Sequence, residues 1–167
     1  FTLGLMSLGL ARGEKVAIIG ENDPEFYWAE ISVHCAGGAS TAIFTDASPQ
    51  ELLYVVTNST SVFLVAHDQE QCDKALELRD KLPNVRKVIY WDESGMWGYD
   101  DDWLMSFEEV QALGRDYAKK HQDAFLKSVA EGKGEDIAIF SYTSGTTSLP
   151  KAAMIRHRNL IYTNVHS

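Results

Sequence analysis

Short apolar runs, each bounded by turn-forming residues, recur along the chain. A short apolar run between turn residues predicts a buried strand. The first four runs predict strands over residues 15–20, 39–44, 61–66 and 86–90. Two further runs, 137–140 and 152–155, predict strands near the carboxyl end.

Segments with helical spacing of apolar residues lie between these runs. A polar N-cap candidate precedes each of four helices; these residues are Asp23, Ser48, Asp68 and Ser106. Glu51 and Glu109 follow the two serines three residues later, so the pattern predicts two capping boxes. Pro24 suits a first helical position. The last capped helix is predicted to end near His121, and a second helical piece covers residues 124–130.

The helix that follows Asp23 is predicted to be mostly buried. Its apolar stripe consists of Phe26, Ala29, Val33 and Ala36, widened by Trp28, Ile31 and Cys35. His34 lies on the same helix and is therefore interpreted as a core histidine. Gly37-Gly38 is the expected end of the helix.

Alternation of short apolar strands with helices predicts βαβ units and hence a parallel sheet covered on both faces. The pattern lapses only over residues 92–106, which are predicted to form a polar loop. We therefore predict a single α/β domain over residues 1–167, a layered αβα structure with a mainly parallel sheet.

The charge and the cysteine content of the chain limit the classes of function that it can have. The formal net charge is −9, which argues against nucleic acid as a partner. The two cysteines, Cys35 and Cys72, lack a metal-ligand or redox spacing and are expected to be reduced packing residues in a cytoplasmic protein. No apolar run is long enough for a membrane helix, and no signal peptide is recognisable. The chain starts without Met inside a predicted helix, so we expect it to be part of a longer protein.

A hydroxyl-rich segment between the last two predicted strands is the candidate site. Its hydroxyl residues are Thr143, Ser144, Thr146 and Thr147, interrupted by Gly145 and followed by Lys151. Many O–H and N–H donors beside one ammonium group suit an anion with several oxygens, such as a triphosphate. Ligands of open α/β sheets bind beyond the carboxyl ends of strands, where this segment is predicted to lie. A polar turn between two strands is the alternative interpretation.

The order of residues in this segment resembles the phosphate-binding signature of the adenylate-forming superfamily. The matching residues are Tyr142, Thr143, Ser144, Gly145, Thr146, Thr147, Pro150 and Lys151. Ser148 and Ala152 stand where that signature has glycines, and a Cβ costs roughly 1–2 kcal/mol if the backbone there has positive φ. Residues 22–30, 36–38 and 104–109 resemble the amino-terminal region of long-chain acyl-CoA synthetases.

The resemblance implies a fold and an activity. The chain would form part of the large N-terminal domain of an enzyme that activates a fatty acid with ATP and Mg²⁺ and then transfers the acyl group to CoA. Thr143, Ser144, Gly145, Thr146, Thr147 and Lys151 would bind the ATP phosphates. No catalytic residue is expected within residues 1–167, which are expected to be inactive alone. An enzyme of this kind could contact a membrane peripherally, although no basic amphipathic helix indicates it.

Two other interpretations stay open at this point. One is a non-catalytic nucleotide-binding or flavodoxin-like module, although 20–23 lacks the glycines of a dinucleotide-binding turn. The other is an inactive paralogue kept for interactions. His157 is interpreted as a helix-start or packing residue. His67, His121 and His166 show no partner pattern, and the run 100–102 lacks calcium-loop ligands, so no protein metal site is predicted.

Overall fold

The computed structural model describes residues 1–143 and 150–166, with side chains described through residue 162. Its strands are β1 (Lys15–Ile19), β2 (Ala39–Ile43), β3 (Ser61–Ala66), β4 (Lys87–Tyr90), β5 (Leu104–Ser106), β6 (Ile137–Thr143) and β7 (Lys151–Arg156). Its helices are α1 (Thr2–Ser7), α2 (Pro24–Cys35), α3 (Pro49–Ser59), α4 (Gln69–Glu77), α5 (Phe107–Lys120), α6 (Ala124–Ala130) and α7 (His157–His166). Single 3₁₀ turns occur at Arg79–Lys81 and Met96–Gly98.

The strands form one sheet in the order β5-β4-β3-β1-β2-β6-β7. All neighbouring pairs are parallel except β6 and β7, which are antiparallel. The predicted, mainly parallel α/β sheet is therefore confirmed. Chain reversal at β7 places an antiparallel strand at one edge of the sheet, and this edge contains the candidate site.

Two apolar cores cover the two faces of the sheet. Along β1, Val16 and Ile18 face one core, whereas Ala17 and Ile19 face the other. The first core is completed by residues of α1, α2 and α5, and the second by residues of α3 and α4. Alternate side chains of a strand point to opposite faces, so a strand between two helical layers is apolar throughout. The three-layer αβα arrangement is thus confirmed.

Helix caps follow the sequence closely. In both predicted capping boxes, the serine hydroxyl accepts from the N–H of the glutamate and the glutamate carboxylate accepts from the N–H of the serine. Asp68 likewise accepts from the N–H of Gln71 at 3.1 Å. Asp23 occupies the N-cap position of α2, but its side chain makes no capping bond. That carboxylate turns instead to residues of two other loops.

The prediction that α2 is mostly buried is wrong for part of the helix. Phe26, Ala29 and Val33 are buried, but Trp28 and Ile31 are 52% and 58% exposed. A helix against a sheet buries only the side that faces the sheet, and Trp28 and Ile31 point away from it. A helix with apolar residues on every side is therefore not necessarily buried on every side.

The predicted polar loop over 92–106 was also partly wrong, because its end forms β5. This strand pairs with β4 through Leu104, Met105 and Ser106. Trp103 ahead of it is buried, and its Nε1–H donates to the carbonyl of Val85 at 2.8 Å. A strand of three residues is too short to show an alternating pattern, so only its pairing reveals it.

No helix in the described part of the chain is long and apolar enough to cross a membrane.

The core predicts a contrast between two helical leucines. Leu52 of α3 is fully buried, whereas Leu126 of α6 is 68% exposed. Leu52→Ala should lower the free energy of unfolding by about 2–5 kcal/mol, because it removes buried methylene groups and leaves a cavity. Leu126→Ala, the matched control in a helix, should change it by less than about 0.5 kcal/mol. Urea unfolding of both variants measures this, and equal losses would contradict the assigned core.

Candidate functional site

The candidate segment joins the two strands of a β-hairpin. Thr143 is the last residue of β6, Lys151 is the first of β7, and the two are directly paired in antiparallel register. Residues 144–150 connect them. Of these, 144–149 lie outside the described residues, so the predictions for Ser144, Gly145, Thr146, Thr147 and Ser148 stay predictions. β6 runs parallel to β2. The loop therefore leaves the carboxyl end of a parallel strand, as expected.

Thr143 and Lys151 are both exposed. Directly opposed residues of an antiparallel pair project from the same face of the sheet. The hairpin therefore brings one hydroxyl and one ammonium group together at the base of the loop. The site residues that can be described thus offer a donor and a cation to an anion from solvent, which is the chemistry that a phosphate oxygen requires.

The substitution of alanine for glycine at position 152 causes no left-handed strain. Ala152 lies in β7, where it pairs with Tyr142. Within residues 1–143 and 150–166, Thr60 is the one non-glycine residue with positive φ. The Cβ of Ala152 therefore carries none of the strain cost that a positive φ would impose. Position 148 lies outside the described residues.

Two tyrosines hold the base of the hairpin against α3, and sequence reasoning missed their partners. Tyr54 Oη donates to the carbonyl of Pro150 at 2.8 Å, and Tyr142 Oη donates to Asn58 Oδ1 at 2.7 Å. The two rings meet edge to face, with centroids 6.3 Å apart. Burial, and then the neighbouring Tyr54, raise the pKa of the Tyr142 hydroxyl. Only the topology brings α3 beside this edge, so no sequence pattern could have indicated these contacts.

The two arginines of the basic carboxyl end do not join the hairpin loop. Arg156 Nη1 lies 3.6 Å from Glu135 Oε2, and Arg158 Nη1 pairs with Glu135 Oε1. Arg156 is the last residue of β7 and Lys151 the first, so a rise of about 3.3 Å per residue separates them by roughly 17 Å. Lys151 is accordingly the basic residue that the described structure places at the loop.

His34, which was expected to be a core histidine, is half-buried and lies outside both cores, where it packs against His157. Their rings meet edge to face at 5.3 Å, and His157 is the first residue of α7. His34 Nε2 lies 3.1 Å from Ser40 Oγ, which donates to Glu30 Oε1 at 3.2 Å. Burial and, second, His157 lower the pKa of His34 to about 4, against the opposing effect of the Ala138 carbonyl.

A third histidine, His67, also has a partner that the sequence did not indicate. His67 Nε2 lies 3.3 Å from Asp23 Oδ2, and Trp91 Nε1–H donates to the same oxygen at 3.3 Å. The rings of His67 and Trp91 stack at 5.0 Å. A side chain at Gly20 would collide with the Trp91 ring and with the Cβ of His67. This cluster connects the loops after β1, β3 and β4, and it explains why Asp23 does not cap its helix.

Candidate metal ligands do not converge. Among the described residues, no three His, Cys, Asp or Glu side chains are grouped so that they could hold a metal ion. In the acidic run at 100–102, Asp101 is engaged by Arg79 at 2.7 Å and by the N–H of Trp103 at 2.8 Å. Cys35 and Cys72 are free thiols, and burial followed by nearby carboxylates raises the pKa of Cys72 to about 12.

In fold, the mostly parallel αβα sheet with an antiparallel strand at its edge is similar to that of solved CoA ligases and synthetases. An anthranilate–CoA ligase, AuaEII, solved with anthranoyl-AMP, matches 97% of this chain and 29% of its own, with a TM-score of 0.78 and 23% identity. The acetoacetyl-CoA synthetase of Streptomyces lividans matches 98% of this chain and 25% of its own, with a TM-score of 0.75 and 22% identity. At such identities these structures establish the fold alone.

The family model for AMP-binding enzymes matches residues 1–167, and the chain belongs to that family. Among curated relatives, the long-chain-fatty-acid–CoA ligase ACSBG2 of Gallus gallus is 33% identical over 162 residues, which are 96% of this chain and 20% of the relative. The long-chain-fatty-acid–CoA ligase ACSBG1 of Rattus norvegicus is 30% identical over 160 residues, 96% of this chain and 22% of the relative. The chain thus spans about a fifth of the length of these relatives.

The environment of His34 predicts an acid sensitivity. Its pKa is about 4 in the folded protein, below the ordinary 6.5, so the unfolded chain binds more protons between these values. Folding stability should therefore be fully present above pH 6.5 and should fall as the pH drops from 6.5 towards 4. In His34→Gln, the loss of stability between pH 7 and pH 5, measured by urea unfolding, should be smaller than in the wild type.

His121→Gln is the control for this prediction, since His121 is an exposed residue at the end of α5. That variant should keep the wild-type pH dependence. A His34→Gln protein with the same dependence as wild type would show that His34 is not responsible.

Proposed function

We propose that this chain supplies the triphosphate-binding part of an AMP-forming acid–CoA ligase that acts on long-chain fatty acids. The observation that carries the proposal is the Thr143–Lys151 pair, exposed at the carboxyl end of β6 in a chain of the AMP-binding family. The names of the curated relatives support the long-chain fatty acid as substrate class.

In the proposed reaction, a carboxylate oxygen attacks the α-phosphorus of ATP, and pyrophosphate leaves as the acyl-adenylate forms. The thiol of CoA then attacks the acyl carbon and AMP leaves. Lys151 and the donors of residues 143–147 would hold the β- and γ-phosphates, which become the pyrophosphate. Donors and cations fixed before the reaction stabilise such developing charge without reorganisation. These residues bind and orient, and no proton transfer is assigned to this chain.

Mg²⁺ belongs to the proposal as the ion that accompanies ATP and neutralises phosphate charge. No residue of this chain is assigned to it. The proposal includes a cytoplasmic location, which the free thiols of Cys35 and Cys72 support.

Family membership favours this function over the flavodoxin-like module. The inactive paralogue stays a hypothesis. Ser148 is the substitution that still motivates it, because Ala152 is accommodated in β7 without left-handed strain.

Lys151→Ala tests the phosphate role. In an enzyme that contains this chain, the variant should slow acyl-adenylate formation about 10- to 100-fold, because a hydrogen bond to a charged group contributes about 1.5–3 kcal/mol. Fatty-acid-dependent exchange of labelled pyrophosphate into ATP measures this step. Lys119→Ala is the control, since Lys119 pairs with Asp116 on the exposed side of α5. Unchanged exchange in Lys151→Ala would remove Lys151 from the phosphate site.

We also predict that residues 1–167 alone bind ATP but do not turn it over. The relatives are about five times longer, and this chain supplies only phosphate-binding groups to the proposed reaction. The same exchange assay, with palmitate as the acid, should give no signal above a protein-free blank. A fatty-acid-dependent signal from this chain would contradict the prediction.

A further inference from the structure

The hairpin that contains Lys151 has little support from the sheet itself. β7 is the last strand of the sheet that the described residues form, so β6 is its single neighbour within that sheet. Four of its six residues are exposed and the other two are half-buried. An edge strand of this kind opens more readily than a buried central strand. Apart from its pairing with Thr143, the position of Lys151 therefore depends on contacts from outside the sheet.

α3 provides those contacts on the strand that leads into the loop. Tyr142 is half-buried and packs against the core formed by α3 and α4. The hydroxyl of Tyr142, the residue directly before Thr143, donates to Asn58 Oδ1 at 2.7 Å. The end of β6 is thus fastened to the last turn of α3.

α3 also holds the strand that returns from the loop. Proline has no N–H, so the carbonyl is the one backbone group through which Pro150 can be held by a hydrogen bond. Tyr54 Oη donates to that carbonyl at 2.8 Å. Pro150 directly precedes Lys151, so this bond fixes the chain at the residue before the ammonium group.

The helix that carries these contacts is itself firmly placed. Tyr54 and Asn58 are four residues apart and share one face of α3. Leu52, Val55 and Val56 are buried against the sheet. The Ser48–Glu51 capping box closes the first turn. Both contacts to the hairpin therefore start from an element with little freedom to move.

We propose that Tyr54 and Tyr142, with Asn58, are positioning residues for the phosphate-binding hairpin. They hold both ends of the loop against α3 and thereby fix Lys151, without touching the phosphates themselves. The inference rests on the proposed function of the hairpin. Its physical basis is that a cation and donors held in place before binding lose less freedom when the anion arrives.

Tyr54→Phe is the direct test, because it removes the hydroxyl that binds Pro150 and keeps the ring. Tyr99→Phe is the matched control. Tyr99 lies in the loop between β4 and β5, at the opposite edge of the sheet. Its hydroxyl donates to Asp73 Oδ1 at 2.6 Å and accepts from Gln69 Nε2 at 2.9 Å, and both of these partners lie on α4. Asn58→Ala is a second variant, since it removes the acceptor of Tyr142 at an exposed position.

Two measurements on the 167-residue chain follow. Amide hydrogen exchange without ligand should be about three- to tenfold faster in β7 of Tyr54→Phe, as expected for loss of one hydrogen bond, and unchanged in β1. The dissociation constant for ATP, from calorimetric titration, should rise by a similar factor. Asn58→Ala should act in the same direction. Tyr99→Phe should leave β7 exchange and ATP affinity at wild-type values, whatever it does to urea stability.

The outcomes separate this inference from the proposed function. Wild-type exchange in β7 of both Tyr54→Phe and Asn58→Ala, or equal effects in Tyr99→Phe, would overturn the positioning role even if the chain binds ATP. Faster β7 exchange with unchanged ATP affinity would also overturn it, because the contact would then be merely structural. If the wild-type chain does not bind ATP, the proposed phosphate site is refuted. The positioning role of Tyr54, Tyr142 and Asn58 at that site is then refuted as well.

Discussion

Burial of the central parallel strands on both faces is the constraint on which the rest of this structure depends. β1 lies between β3 and β2, and four of its five residues are buried. A strand in that place requires helices above and below it, and parallel neighbours require crossover connections that supply those helices. The helical layers, the two separate cores and the collection of loops at the carboxyl ends of the strands all follow. Among the buried side chains described, no nitrogen or oxygen atom lacks a hydrogen-bond partner.

The hairpin at the edge of the sheet departs from this pattern, and that departure creates the candidate site. A further crossover would have buried β7 between helices. Chain reversal instead leaves β7 exposed, with Lys151 opposite Thr143 and open to solvent. An exposed edge is a poor place for a rigid group, and the hydrogen bonds that α3 makes to Pro150 and Tyr142 compensate for this. Glu135 forms ion pairs with both Arg156 and Arg158. The positive charge available to an anion at the hairpin loop is therefore that of Lys151, and not that of all three basic residues near the carboxyl end.

The polar clusters elsewhere serve the fold. The carboxylate of Asp23 joins His67 and Trp91 across three loops, and the Glu30–Ser40–His34 chain joins α2 to β2 beside α7. His34 and His67 pack between neighbouring elements and contact polar side chains there. Burial lowers the pKa of His34, which keeps this side chain neutral near pH 7. The Asp23 contacts connect loops that are far apart in sequence, whereas the Glu30–Ser40–His34 contacts join two consecutive elements. Both sets stabilise the arrangement of helices around the sheet.

The sequence by itself determined the local elements, because their signals are local. Apolar runs marked the central strands, capping boxes at Ser48 and Ser106 marked helix starts, and the order of residues from Tyr142 to Lys151 indicated both the chemistry and the family. Tertiary structure alone decided which face of α2 is covered, that residues 104–106 add a strand, that Asp23 binds His67 instead of capping, and that Tyr54 supports Pro150. Each of these depends on contacts between residues distant along the chain, and pairing or packing at that range leaves no periodic trace in a single sequence.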